Sequence, residues 1–226
     1  MKILAISDEE SQALWEHYVP GRLKEYDLIL SSGDLKADYL SFLVTMARCP
    51  LLYVHGNHDS SYSRKAPEGC DCIDDHFVVY NGIRILGLGG CRWYHPGDHQ
   101  YTEREMRRRI RKLRFQLWRN KGVDIVVTHA PPAGVGDLPD VAHRGFESLL
   151  ELIDKYHPKY LLHGHVHLRY GADTPREQTY NGTQVINVCG RYVLEIPDAS
   201  YPLKYHRQLR WMTRHKEPGD DYDALI

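Results

Sequence analysis

The sequence predicts an α/β fold in which a mixed β-sheet carries helices on its faces. Short apolar segments rich in β-branched residues, such as KILAIS at 2–7 and VDIVV at 123–127, recur along the chain and are typical of buried strands. Amphipathic segments with helical spacing lie between several of them. The pairs Asn81-Gly82 and Asn181-Gly182 are typical of tight hairpin turns, which would add antiparallel strands to a parallel sheet.

The expected elements follow from these patterns in chain order. Strands are predicted at 2–7, 27–32, 51–56, 77–80, 83–90, 123–130, 160–165, 184–188 and 192–196. Helices are predicted at 11–18, 38–48, 102–119 and 145–156. The segment 60–75 contains glycine, proline and several charges, and it is predicted to be a surface loop.

Length and composition narrow the class of protein. A chain of 226 residues can form one α/β domain, so residues 1–226 are expected to fold as a single domain in which the acidic segment 218–226 frays. The net charge of −1 gives no overall attraction to nucleic acid or to membranes. The first residues lack the pattern of a signal peptide, and no stretch approaches the roughly 20 apolar residues of a membrane span. Five scattered cysteines favour free thiols, so a cytoplasmic protein without a membrane partner is expected.

Polar side chains that can bind a metal follow five of the predicted strands. These residues are Asp8 and Glu10, Asp34, Asn57 and His58, His129, and His165 and His167. One such residue alone would be ordinary turn chemistry. Ligands in open α/β sheets bind beyond the carboxyl ends of the strands, so these five strand ends could converge on one crevice. Because imidazole and carboxylate groups are common metal ligands, the pattern predicts a metal site.

In chain order, the segments SDEE, SGDL, GNHD, THAPPAG and GHVH resemble the motifs of the calcineurin-like metallophosphoesterases. The resemblance implies a four-layer α-β-β-α sandwich that has its metal site at the carboxyl ends of the strands. It also implies two divalent metal ions and a role for each matching residue. Asp34 would bridge both ions, and the other ligands would be Asp8 and His167 for the first ion and Asn57, His129 and His165 for the second. His58 would face the substrate and would be held by Asp59.

The chemistry of these residue types suits phosphoester hydrolysis. Two cations can neutralise phosphate oxygens and acidify a bridging water for attack on phosphorus. Mixed oxygen and nitrogen ligands suit Mn, Fe, Zn or Mg, of which we favour Mn. His58 could donate a proton to the leaving oxygen, with Asp59 fixing its tautomer. We therefore expect a hydrolase that acts on a small phosphate ester, either a phosphodiester or a phosphomonoester, with a slight preference for the diester.

Glu10 departs from the family pattern, because most members carry histidine two residues after the first aspartate. Three outcomes stay open: Glu10 replaces the imidazole as a ligand, it turns away and leaves the first site incomplete, or the first ion binds only with substrate. We favour ligation, since a carboxylate suits hard cations such as Mn or Mg. The same departure keeps open an alternative from another class, a scaffold protein that retains the fold and has lost turnover.

The predicted helix 102–119 contains eight basic residues. It begins with a capping box, Thr102 and Glu105, and its apolar residues recur at helical spacing, which favours a surface helix with solvated arginines. The alternative is a metal-dependent nuclease in which this helix guides nucleic acid to the metals. Nucleic acid is the less favoured partner, because no stacking platform is evident in the sequence.

No residue is assigned to substrate binding. The loop 89–101 is rich in arginine, histidine and aromatic residues, which could bind a phosphate or stack on a base, but such loops also pack as lids over a core. Arg169 is a comparable candidate. His55 and His163 each precede a glycine, and both are expected to be half-buried histidines that hydrogen-bond to the backbone.

Overall fold

The computed structural model describes residues 1–168 and 175–197, so Arg169 and the tail at 218–226 lie outside the described residues. The strands are β1 (Lys2–Ser7), β2 (Leu28–Ser31), β3 (Leu51–Tyr53), β4 (Asp71–Cys72), β5 (Phe77–Tyr80), β6 (Ile83–Leu88), β7 (Cys91–Arg92), β8 (Gln100–Tyr101), β9 (Ile125–Thr128), β10 (Tyr160–His163), β11 (Glu177–Tyr180), β12 (Thr183–Asn187) and β13 (Gly190–Glu195). The α-helices are α1 (Ala37–Ala47), α2 (Glu103–Lys112), α3 (Arg114–Arg119) and α4 (Glu147–Tyr156). Short 3-10 helices occupy Gln12–Leu14 and Asp59–Ser63.

Two mixed sheets contain most of the strands. The first sheet has the order β13-β1-β2-β3-β4, in which β1 to β4 are parallel and β13 is antiparallel to β1. The second sheet has the order β11-β12-β10-β9-β6-β5, in which the four inner strands are parallel and both outer strands are antiparallel. The parallel strands of each sheet therefore present their carboxyl ends along one edge.

The two sheets pack face to face between helices. In β1, Ile3 and Ala5 belong to the apolar core between the sheets, whereas Leu4 and Ile6 pack on the side of α1. Helices α2, α3 and α4 cover the outer face of the second sheet. The resulting order of layers confirms the expected α-β-β-α sandwich. Because both faces of each sheet are covered, the inner strands are apolar at almost every position.

Both predicted hairpins are present. Strands β5 and β6 pair Tyr80 with Ile83, and β11 and β12 pair Tyr180 with Thr183. The two turn residues have positive φ in each case, 47° and 83° in the first turn and 45° and 82° in the second. Asparagine and glycine tolerate this conformation, which matches the twist of the adjoining strands.

The segment 102–119 forms two helices where one was predicted. Leu113 lies between α2 and α3, and its N–H donates to the Ile110 carbonyl in a tight turn. Leu113 and Leu117 remain buried, so the apolar stripe continues across this break. The predicted capping box at Thr102 and Glu105 is confirmed.

Two other predicted elements are wrong. The segment 11–18 contains only the 3-10 helix Gln12–Leu14. Trp15 directly after it packs edge-on against Tyr39 and Phe42, and these contacts stabilise a backbone path other than an α-helix. The segment 60–75 is more than a surface loop. Its Tyr62 and Ile73 side chains are buried, and β4 within it adds an edge strand to the first sheet.

None of the helices in the described ranges is long and apolar enough to cross a membrane. All five cysteines are free thiols, as predicted. Where the protein resides in the cell stays a prediction.

Candidate metal centre

The strand ends of both sheets meet at one crevice. The N–H of Asp8, directly after β1, donates to the Gly33 carbonyl at 3.1 Å and so joins the ends of β1 and β2. His129 Nδ1, directly after β9, donates to the Ser32 carbonyl at 2.8 Å and joins the two sheets. The N–H of His165, after β10, lies 3.0 Å from each carboxylate oxygen of Asp8, 157 positions away in the chain.

Two motif glycines permit this close approach. A Cβ at Gly56, in the GNHD segment, would lie 2.0 Å from Asp34 Oδ1. A Cβ at Gly164, in the GHVH segment, would lie 1.9 Å from Ser7 Oγ and 2.4 Å from Asp8 Oδ2. No side chain fits at either position, so the carboxylates can reach the centre of the crevice only because these residues are glycine.

Three predicted ligands have a left-handed backbone. The φ angle is 60° at Asp8, 56° at Asp34 and 66° at His165. Residues other than glycine rarely adopt this conformation, and each costs about 1 kcal/mol or more unless its surroundings hold it in place. Such positions cluster at functional sites, and here the strand-end hydrogen bonds hold them.

His129, Asp34 and Asn57 direct three acceptor atoms at one another. The buried His129 ring donates through Nδ1 to Ser32, so in the neutral ring Nε2 carries the lone pair. This Nε2 lies 3.3 Å from Asp34 Oδ2 and 3.0 Å from Asn57 Oδ1. The Asn57 amide is oriented by Nδ2, which donates to the Tyr94 hydroxyl at 3.4 Å. Only a proton or a cation among the three acceptors makes this arrangement favourable.

The electrostatics of the pair agree with that geometry. Burial would lower the pKa of His129, but the neighbouring Asp34 carboxylate outweighs burial and raises this pKa to about 9. Burial would raise the pKa of Asp34, but His129 and the His58 N–H, which donates to Oδ1 at 2.8 Å, bring it well below its usual range. Without a metal, the imidazolium proton is thus the positive partner of Asp34. A divalent cation would take the place of that proton.

His165 completes this group. Asp34, His129 and His165 each offer one ligand atom, and the three atoms lie within 4.8 Å of one another. His165 Nε2 lies 2.8 Å from the Ala142 carbonyl, which can only accept, so Nδ1 carries the lone pair. Burial lowers the pKa of His165 to about 3, which keeps the ring in the neutral form that binds metals. The mixed oxygen and nitrogen donors of this group fit a divalent metal ion.

A second group of ligand atoms lies around His167. His167 Nδ1 is 3.4 Å from Glu9 Oε1, and the Cys189 thiol lies with both inside 4.8 Å. Burial, reinforced by the charge of Asp8, raises the pKa of Cys189 to about 11. Neither Glu9 nor Cys189 was predicted as a site residue. Glu9 could have been suspected from the SDEE segment. Cys189 lies near His167 because its backbone forms a β-bridge with Ser7, which the sequence does not indicate.

Glu10 is not in either group. Its Oε2 lies 3.1 Å from Lys36 Nζ, and within the described residues neither cluster of ligand atoms includes its carboxylate. The Lys36 side chain is 78% exposed, and such surface pairs contribute little, typically under about 1 kcal/mol. Glu10 as a metal ligand stays a prediction, and it would require release from Lys36.

His58 and Asp59 are adjacent in sequence but act on different groups. The His58 side chain is exposed, while Asp59 is buried. Asp59 Oδ2 accepts hydrogen bonds from the N–H groups of Gly56 at 2.7 Å and Asp34 at 2.8 Å. In the part of the chain that the structure describes, the expected contact between Asp59 and the His58 ring is therefore replaced by contacts that position the backbone of Asp34. Burial raises the pKa of Asp59 to about 6.

Two other predicted histidines have structural roles. His163 is buried and its Nδ1 donates to the Gly164 carbonyl at 3.0 Å, so the predicted backbone hydrogen bond is present. His55 is half-buried as expected, but its Nδ1 binds Asp74 Oδ2 at 2.6 Å instead of a carbonyl. From the loop 89–101, Tyr94 reaches the site through Asn57.

The fold and this cluster of ligands define a metallophosphoesterase-like protein, and comparison with known families gives the same result. The calcineurin-like phosphoesterase family matches residues 1–169. The chain therefore belongs to the calcineurin-like phosphoesterases, as its motifs predicted. Membership of this family supports the prediction that the protein is a metal-dependent hydrolase of phosphate esters.

Individual relatives are distant. A UPF0046 protein of Caenorhabditis elegans is 23% identical over 194 residues, which cover 76% of this chain and 65% of that protein. The lariat debranching enzyme of Caenorhabditis briggsae is 24% identical over 190 residues, which cover 65% of this chain and 35% of the enzyme. The chain thus spans less than two thirds of the length of either relative. The solved structure of TT1561 of Thermus thermophilus is 18% identical in sequence and superposes with a TM-score of 0.57 over 84% of this chain and 89% of the TT1561 chain. The two proteins therefore share the fold.

Proposed function

We propose that this protein hydrolyses a small phosphate ester at a dinuclear metal centre. Asp34 would bridge the two ions, and the other ligands would be Asp8 and His167 at the first site and Asn57, His129 and His165 at the second. Glu10 stays a candidate ligand at the first site, and Glu9 is a further candidate because its Oε1 lies 3.4 Å from His167 Nδ1. When bound, the divalent ions would neutralise phosphate charge and lower the pKa of a coordinated water.

The convergence of acceptors on His129 Nε2 is the observation that carries this proposal. Asp34 Oδ2 and Asn57 Oδ1 lie 3.3 Å and 3.0 Å from that buried nitrogen, where a divalent cation would replace the imidazolium proton. His165 adds a further imidazole, and its ligand atom lies within 4.8 Å of those of Asp34 and His129. Nitrogen and oxygen donors of this kind suit Mn, Fe, Zn or Mg, with Mn favoured for a site rich in carboxylate.

His58 is proposed as the proton donor to the leaving oxygen. Its N–H binds Asp34 Oδ1 at 2.8 Å, which places the residue at the edge of the metal centre, and its side chain is exposed there. Imidazole can exchange a proton near neutral pH, as a general acid must. Asp59 supports this arrangement by holding the backbone of Asp34 and Gly56.

The test is hydrolysis by chelator-treated protein after addition of Mn, Mg, Zn or Ni. We expect metal-dependent cleavage of bis(p-nitrophenyl) phosphate, p-nitrophenyl phosphate or both, and the ratio of the two rates decides between diester and monoester. His165→Ala should lose both bound metal and activity. His58→Ala should keep its metal, yet lose about 100-fold or more in kcat on esters with a poor leaving group.

The leaving group gives a sharper test of His58. Nitrophenolate leaves without a proton, so His58→Ala should be much less impaired on p-nitrophenyl esters than on phenyl or alkyl esters. His17→Ala, which changes an exposed histidine outside the site, is the matched control. Full metal binding with no turnover on any ester would instead favour the scaffold alternative.

A further inference from the structure

A pocket that combines cations with aromatic rings lies between α3 and the end of α4. It has a volume of about 860 Å³, and we call it the basic aromatic pocket. Its cations are Arg111, Lys112, Arg114, Lys121 and Lys155. Its aromatic rings are Phe115, Trp118 and Tyr156.

The rings are exposed although the helix that carries them has a buried face. Leu117 of α3 is fully buried, whereas Phe115 is 63% exposed and Trp118 is 75% exposed. The two rings lie side by side, with centroids 6.0 Å apart and planes inclined by 36°. Neither ring is needed to cover the core, and together they form the stacking platform that the sequence pattern did not reveal.

The cations of the pocket differ from those earlier in the same helical segment. Arg107 pairs with Glu151, and Arg109 is buried against Asp75 and stacked on Tyr101. Within residues 1–168 and 175–197, by contrast, no carboxylate lies within ion-pair distance of any of the five pocket cations. The pocket therefore carries positive charge that the described part of the protein does not neutralise.

The basic aromatic pocket is at the opposite end of the second sheet from the metal centre. Gly122 precedes β9 and Tyr156 precedes β10, whereas His129 and His165 follow those strands. Strands of four residues place roughly 13 Å between the two ends. A ligand in this pocket is therefore outside the metal centre.

We propose that the basic aromatic pocket binds a single-stranded polynucleotide. Single strands bind where a positively charged groove follows the phosphates and aromatic side chains stack on the bases, and both features are present here. A bilayer surface fits less well, because a membrane-binding helix exposes its apolar face, and the apolar residues Ile110, Leu113 and Leu117 are buried. An acidic protein partner would satisfy the charge but would leave Phe115 and Trp118 without stacking partners.

The test is fluorescence anisotropy with labelled 15-nucleotide uridine RNA and thymidine DNA. We expect saturable binding to at least one of them, weaker binding to a duplex, and a slope of log Kobs against log salt of about −3.5 if all five cations contact phosphate. Trp118→Ala should weaken binding about tenfold or more, and Trp118→Phe should restore most of it. Arg114→Gln should make the slope less steep by about 0.7, whereas Lys24→Gln, which removes an exposed cation elsewhere, should leave it unchanged.

This proposal does not depend on the hydrolytic reaction, because binding is measured without turnover. Trp118→Ala should leave the hydrolysis of p-nitrophenyl esters unchanged. Several outcomes would overturn the proposal: no saturable binding to either strand at low salt, binding that Trp118→Ala does not weaken, or preferential binding to phosphatidylserine vesicles or a polyglutamate peptide.

Discussion

His129 Nε2 lies 3.3 Å from Asp34 Oδ2, inside the protein, and the contact joins strand ends of two different sheets. Nδ1 of the same ring is occupied by the Ser32 carbonyl, so the ring cannot turn away from the carboxylate. The Ser32 hydrogen bond leaves Nε2 as the ring atom that would bind the proposed metal, with the Asp34 carboxylate as its anionic neighbour.

The first prediction concerns that centre. Asp34→Asn removes the one carboxylate shared by both proposed ions, and we expect metal content measured by mass spectrometry to fall by about tenfold or more. Asp38→Asn is the matched control, because the Asp38 side chain is 66% exposed and pairs with the surface residue Lys65, away from the site. Undiminished metal content in Asp34→Asn would refute the assignment.

The second prediction separates the two glutamates at the first site. Glu9 lies 3.4 Å from His167, whereas Glu10 pairs with Lys36. We expect Glu9→Gln to lower the occupancy of the first ion, and Glu10→Gln to change it little. Both variants are compared by metal content per chain under limiting Mn. The reverse order of effects would show that Glu10, and not Glu9, is the ligand.

The third prediction is a pH dependence of stability from His55 and Asp74. Burial would lower the pKa of His55, but the hydrogen bond to Asp74 raises it to about 10. Burial would raise the pKa of Asp74, but His55 and Arg109 hold it below its ordinary value. The stabilisation through His55 is complete below its unfolded pKa of about 6.5 and is lost as pH rises towards 10. The stabilisation through Asp74 is complete above the pKa of about 3.9 that this carboxyl has in the unfolded chain, and it is lost as pH falls below that pKa.

Asp74→Asn should therefore lower the free energy of unfolding most between about pH 4 and 6.5, by about 3 kcal/mol, because it leaves the partly buried His55 cation without its anion. The difference from the parent protein should shrink as pH approaches 10. Urea unfolding at pH 6 and pH 9.5 measures it, with Asp154→Asn at an exposed position as the control. A difference that is constant across this range would contradict the assignment.

The fourth prediction concerns close packing at Gly164. A Cβ there would overlap Ser7 Oγ and Asp8 Oδ2, so Gly164→Ala should displace the Asp8 carboxylate, destabilise the fold by about 1–3 kcal/mol and reduce metal affinity. Gly182→Ala meets no atom within 4 Å and changes only backbone strain in a hairpin turn. Thermal unfolding with and without metal distinguishes the two variants. Equal metal-induced stabilisation in both would show that the packing at Gly164 does not serve the site.

Sequence patterns predicted the layers, and the position of the candidate ligands at strand ends, because both are local properties. A strand buried on both faces needs a continuous apolar run, and a polar residue directly after that run must lie at the strand end. The hairpins at 81–82 and 181–182 followed in the same way from two residues that tolerate positive φ. The helix predicted at 11–18 failed because Trp15 packs against rings from α1, and no local pattern reports such a contact.

By itself the sequence determined the fold class, the family and the identity of the candidate ligands, since all three are encoded in short segments and their order. Tertiary structure decided which atoms meet. It placed Glu9 and Cys189 beside His167, turned Asp59 towards the backbone of Asp34, paired Glu10 with Lys36 and brought Trp118 into one pocket with cations from three helices. These contacts depend on strand register and helix packing between residues far apart in the chain, so their energies are set only when the layers come together.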